Sequence, residues 1–161
     1  MREGRGHVLP PRIDSRAKTQ DSFLLENSME SLLFIALGGA LGALGRFWSG
    51  LAATALFGGR FPVGTLAVNV AGSFLIGLTA SAIAIGRLAP SPWDDLVMQG
   101  FCGALTTFST FSMDSFRLFR EGRMGSAWAN LLLSMLLCLS AAAYGLTLFS
   151  AEAVTAAPVH P

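Results

Sequence analysis

Four apolar runs separated by short polar punctuation organise the chain. No Asp, Glu, Lys or Arg occurs from Phe61 to Gly86, from Leu96 to Met113 or from Met124 to Ala151, and only Arg46 interrupts Ser31 to Gly59. A bilayer-crossing helix needs roughly 20 predominantly apolar residues at about 1.5 Å rise each. The pattern therefore predicts helices near 31–55, 62–86, 94–118 and 124–149. The connections left over, Phe57–Pro62, Arg87–Trp93 and Arg117–Arg123, are short, and short connections make successive helices antiparallel neighbours. The fold class expected is an all-α integral membrane protein with four transmembrane helices. Its membrane domain covers 29–151, between a basic, disordered N-terminal extension over 1–28 and a short C-terminal tail over 152–161.

Inside these runs the polar positions are not random. The second carries Thr65, Asn69 and Ser73 at successive i, i+4 steps, which line one helix face, while Leu66, Val70, Phe74 and Leu78 cover another. The fourth repeats the device with Asn130, Ser134 and Cys138. Each stripe is either glue between helices or, if the two face one another, the lining of a conduit. The third run holds Gly100-Phe101-Cys102-Gly103-Ala104-Leu105-Thr106-Thr107-Phe108-Ser109-Thr110-Phe111-Ser112, rich in glycine and hydroxyls. Irregular, hydroxyl-rich backbone survives at membrane depth only where protein buries it or it lines a wet path, so this segment is the candidate working part. In the first run Gly38 and Gly42 have the small-xxx-small spacing that lets backbones approach closely. Arg46 lies about 22 Å along that helix from Ser31, near the edge of the hydrocarbon, where it either snorkels to headgroups or raises anion concentration at a pore mouth.

Composition agrees with the membrane reading, at 52% hydrophobic and 13% charged residues. The net charge of +1 gives no footing for nucleic-acid binding. Basic density is confined to Arg2, Arg5, Arg12, Arg16 and Lys18 in the N-terminal extension. That extension lacks the apolar core of a signal peptide, and Met29-Glu30 before an apolar run reads like a natural start. The loops after the first and third helices carry Arg60, Arg117, Arg120 and Arg123 against Arg87 on the other side, which favours those two loops facing the cytoplasm. With the basic extension counted, the two sides are near balance and insertion in both orientations is allowed.

Enzymatic chemistry finds no support. The runs contain no His, no carboxylate pair at mid-depth, no Cys/His metal cluster and no phosphate loop. His7 and His160 lie in the terminal tails, and Cys102 and Cys138 read as small buried side chains. Glu30, Asp94, Asp95, Asp114 and Glu121 sit at or near run ends, whereas a proton-coupled exporter needs an intramembrane carboxylate. The donors along the stripes are hydroxyls, carboxamides and aromatic edges, which suit a small anion. The competing readings are a small dual-topology multidrug/proton antiporter and a non-transporting membrane assembly subunit.

Gly38-Gly39 through Arg46-Phe47, then Gly64-Thr65-Leu66 with Asn69 and Gly72, then Gly103 through Phe111, resemble the Fluc/CrcB fluoride channel family over roughly residues 30–150. The resemblance implies a passive, fluoride-selective channel in the cell (inner) membrane, exporting cytoplasmic fluoride. It further implies an antiparallel, dual-topology dimer with a second copy, or with an oppositely oriented homologue, and two pores along the dimer interface. It implies a third helix broken near its middle, where backbone carbonyls of Gly103 and Thr106 hold a structural, untransported sodium ion. Freed carbonyls are hard ligands suited to that cation, and Gly103 permits a break. Phe108 and Phe111 match the pore phenylalanines, whose positive ring edges can meet fluoride. Asn69 matches the pore asparagine, with Ser134, Thr110 and Thr65 as further donors and Arg46 as pore-mouth charge. The sequence departs from the family pattern at Asn130, where tyrosine is frequent, and at Cys138, where a hydroxyl is expected.

Overall fold

The structure is a computed structural model that describes the backbone of residues 15–156 and the side chains of residues 28–149. His7, His160 and the first basic residues of the extension fall outside the described residues. The chain divides into two compact units, Met1–Glu30 and Ser31–Pro161. All described regular structure is helical: α1 (Ser15–Phe57), α2 (Val63–Ala84), α3 (Pro90–Trp93), a π-helical stretch (Asp94–Cys102), α4 (Gly103–Leu105), α5 (Phe108–Arg120) and α6 (Met124–Ala156). Among the described residues, Ser28–Phe57, Val63–Ala84 and Met124–Phe149 are long and apolar enough to cross a membrane.

Two boundaries differ from expectation. Helix α1 starts at Ser15, within the segment expected to be disordered, because neither Gly nor Pro occurs between Pro11 and Gly38 to stop it. Helix α6 likewise runs on to Ala156. Elsewhere the ends are closed by glycine just past the last helical turn. Gly58, Gly86 and Gly122 have φ of 67°, 75° and 71°, the left-handed conformation that a β-carbon disfavours.

Helices α2 and α6 approach backbone to backbone. A β-carbon at Gly77 would overlap the Ala142 carbonyl, and one at Gly145 would lie 2.7 Å from the Leu78 nitrogen. Ser81 Oγ, buried at this contact, donates to the Gly145 carbonyl at 3.1 Å. The Gly38 and Gly42 spacing does the same for α1 against the third segment. Added methyl groups there would overlap the carbonyls of Leu96 and Phe101. Ser31 Oγ donates to the buried Asp95 at 2.9 Å and pins the start of that segment.

The buried apolar residues among those described are few: Val68, Ala82, Cys102, Leu105, Leu118 and Ala127. Large apolar side chains, Leu37, Leu41, Phe47 and Trp48 of α1 among them, lie on the outside instead. Such an inversion of the soluble pattern is what a lipid environment allows, since lipid tails are as apolar as leucine.

Candidate functional site

Between the last residue of α4, Leu105, and the first of α5, Phe108, two residues leave the helical region. Thr106 has φ −79°, ψ 154°, and Thr107 has φ −153°, ψ 117°. Gly103, the residue the sequence offers as the flexible point, has helical angles of −59° and −37°. The departure comes three residues later, at Thr106, whose N–H still closes an ordinary helical bond. Thr106 sends both its N–H (2.9 Å) and its Oγ1 (2.8 Å) to the Cys102 carbonyl. Its methyl fills the space left by Gly72 of α2, where a β-carbon would overlap it.

Asn69 of α2 supplies what the extended backbone lacks. Its Oδ1 accepts from the Thr107 N–H at 2.7 Å and its Nδ2 donates to the Thr107 carbonyl at 3.2 Å. The carboxamide thus pairs like a neighbouring strand with a buried backbone unit that would otherwise be stranded. One of its two N–H donors has no acceptor among the described residues. Thr107 Oγ1 accepts the Thr110 N–H at 3.1 Å, capping α5, and also meets the hydroxyls of Ser109 (3.2 Å) and Thr110 (3.1 Å).

These diversions release particular carbonyls. In a continuous helix the N–H of Thr107 would bond the Gly103 carbonyl and that of Thr110 the Thr106 carbonyl. Both donors are given to side chains instead, to Asn69 and to Thr107. Gly103 itself is exposed.

The break opens onto a cavity of about 490 Å³. Asn69 and Ser73 line it from α2, Thr106 and Thr107 from the break, Phe108 and Phe111 from α5, and Ser134, Met135 and Cys138 from α6. The polar stripes of α2 and α6 therefore do face one another, in part. Ser134, 6% exposed, has a buried Oγ with no hydrogen-bond partner among the described residues. The rings of Phe108 and Phe111 stand 5.8 Å apart at 47°.

Other expected members lie elsewhere. Thr65 and Thr110 line a second cavity of about 250 Å³ with Asp114 and Arg117, where Thr65 Oγ1 donates to Asp114 Oδ2 at 2.8 Å. Asp114 also pairs with Arg117 at 3.5 Å. Thr107, which lines the first cavity, donates its hydroxyl to Thr110, which lines the second. Arg46 is exposed on α1 and lines neither. Asn130, 1% exposed, lies off the cavity and donates to Ser115 Oγ at 2.9 Å, which donates in turn to the Phe111 carbonyl at 2.8 Å. Thr107, Ser115 and Met135 are the participants that sequence reasoning missed. The adjacent threonines after Gly-Ala-Leu and the i, i+3 spacing of Met135 and Cys138 were the available signals.

Fold and site together define an all-helical, multi-pass membrane protein with an open, mostly apolar cavity beside the non-helical Thr106–Thr107 step. The family profile described as CrcB-like protein, Camphor Resistance (CrcB), matches residues 33–146, and the chain belongs to that family. Among similar proteins, one of Vibrio cholerae named fluoride-specific ion channel FluC is 48% identical over 118 residues, 73% of this chain and 94% of that one. Proteins of the same name from Vibrio parahaemolyticus and Shewanella amazonensis are 49% and 46% identical, over 71% and 70% of this chain and 91% and 90% of theirs.

Proposed function

We propose that this protein is a fluoride-selective channel of the cell (inner) membrane through which cytoplasmic fluoride leaves passively down its electrochemical gradient. The observation that carries the reading is the unpartnered, buried Ser134 hydroxyl, which shares a cavity with Asn69 and the Phe108–Phe111 pair. A buried donor without a partner is costly unless something polar visits it. A small anion is met there by hydroxyl and carboxamide donors and by positive ring edges, none of which binds tightly enough to trap it. The Thr107 and Thr110 hydroxyls continue this set of donors toward Thr65. No covalent step is involved, so the protein is not an enzyme. The names of its relatives agree with this reading.

In this reading Pro90–Arg120 forms one transmembrane segment broken at Thr106–Thr107, and the working unit is a dimer with a second, inverted copy or an oppositely oriented homologue. Gly103, Phe108, Ser109, Thr110 and Ser112 are all exposed, Phe108 by 80%. Hydroxyls and unpaired carbonyls at membrane depth need a cover of protein. The carbonyls of Gly103 and Thr106, relieved of their helical donors, fit a structural sodium ion, which would tie the two subunits together.

The test is efflux from liposomes loaded with potassium fluoride, with valinomycin carrying compensating potassium and a chloride control. Rapid fluoride release with little chloride release is expected. Release of neither ion from folded, dimeric protein in sodium would sink the channel reading. Replacing sodium by N-methylglucamine is expected to lower the rate and loosen the dimer, and unchanged rates would remove sodium from the assembly.

A further inference from the structure

The thiol of Cys138 is unused by the anion path described above, yet it stands in the cavity one helical turn beyond Ser134. Met135, three residues before Cys138 on the same face of α6, lines that cavity too. Thiolate and thioether are the soft ligands that select monovalent d10 cations such as copper(I) and silver(I) over hard ones. The unpartnered Ser134 hydroxyl, 6% exposed, marks this depth as a place that something from outside the protein occupies.

We propose that Cys138 and Met135 form a soft-metal site inside the cavity, taking silver(I) or copper(I), and that its occupation blocks the anion path. On binding, the Cys138 S–H bond breaks, an S–metal bond forms and one proton leaves to solvent. No electron is transferred. The thiolate cancels the charge of the ion, which makes a neutral complex that a mostly apolar cavity can hold. The blocking half of the proposal rests on the channel reading; the binding half does not.

Silver nitrate is the probe, in chloride-free proteoliposomes, with each variant normalised to its own silver-free fluoride rate. Micromolar silver is expected to stop most of the efflux, and excess dithiothreitol to restore it. Cys138→Ser should lose this sensitivity, and Cys102→Ser, whose thiol is buried away from the cavity, should keep it. Met135→Leu should need about tenfold more silver, the loss expected when one of two soft ligands is removed. Full silver block of Cys138→Ser would overturn the proposal.

A second readout does not require conduction. In the Cys102→Ser protein Cys138 is the sole thiol, and silver should protect it from methyl methanethiosulfonate, as read by intact mass. Labelling unaffected by silver would defeat the metal site, and so would a thiol that the reagent never reaches. If wild-type liposomes pass no fluoride while silver still protects Cys138, the channel reading fails and the metal site stands.

Discussion

Asn69 and Asn130 are the same residue at the same place in two apolar helices, each six positions past the first residue of its helix, Val63 and Met124. Their surroundings make them different devices. Asn69 is half-buried, lines the cavity and completes the hydrogen bonding of a peptide unit that has left the helix. Asn130 is fully buried and reaches only the hydroxyl of Ser115, on an intact helix that already satisfies its own backbone. A carboxamide in a membrane helix thus takes its role from what it faces. Opposite regular helix it is glue, and opposite broken backbone it becomes part of the site.

The sharpest way to break this contrast is to truncate both. Asn69→Ala leaves the N–H and the carbonyl of Thr107 unpaired, and each buried orphan costs about 1–3 kcal/mol. Fluoride efflux is expected to fall at least about tenfold, with a lower melting temperature in detergent. A wild-type rate would take Asn69 out of conduction. Asn130→Ala is the milder change, because Ser115 keeps its bond to the Phe111 carbonyl and no backbone group is orphaned. It should cost about 1–2 kcal/mol through the lost bond and the space left behind. Most of the flux should survive. An efflux loss as deep as that of Asn69→Ala would erase the distinction between the two.

Much of this was legible in the residues, and the illegible part has a physical origin. Charge-free runs mark the membrane helices because ions are costly in hydrocarbon, and glycines 58, 86 and 122 mark helix ends because only they adopt positive φ freely. Asn69 and Ser134, one from each polar stripe, line one cavity, and Phe108 and Phe111, which belong to neither stripe, line it too. The same periodicity could not tell which way each stripe turns along its length. Thr65 faces Asp114 and Asn130 faces Ser115, although each shares an i, i+4 row with a cavity residue. Nor could glycine content locate the break. Gly103 permits an irregular backbone, but Asn69 and the two threonines determine where it falls, through bonds between residues 38 positions apart.

The smallest expected effect is the most discriminating. Removing one partner of a buried hydrogen bond strands the other, whereas replacing both by apolar groups of similar shape is nearly neutral. Asn130 and Ser115 are both side chains, so the pair can be exchanged as a unit, with leucine close to asparagine in shape. Asn130→Leu combined with Ser115→Ala is therefore expected to recover most of the stability lost in Asn130→Ala, to within about 1 kcal/mol of the parent, with fluoride efflux retained. Thermal unfolding and the liposome assay check the two halves. No such exchange exists for Asn69, whose partner is the Thr107 peptide unit and cannot be mutated away. Asn69→Leu should stay as damaged as Asn69→Ala whatever is changed around it. If instead the Asn130→Leu/Ser115→Ala protein loses its flux, the Phe111 carbonyl contact carries more of the site than its place off the cavity implies. The two asparagines would then belong to one network and not two.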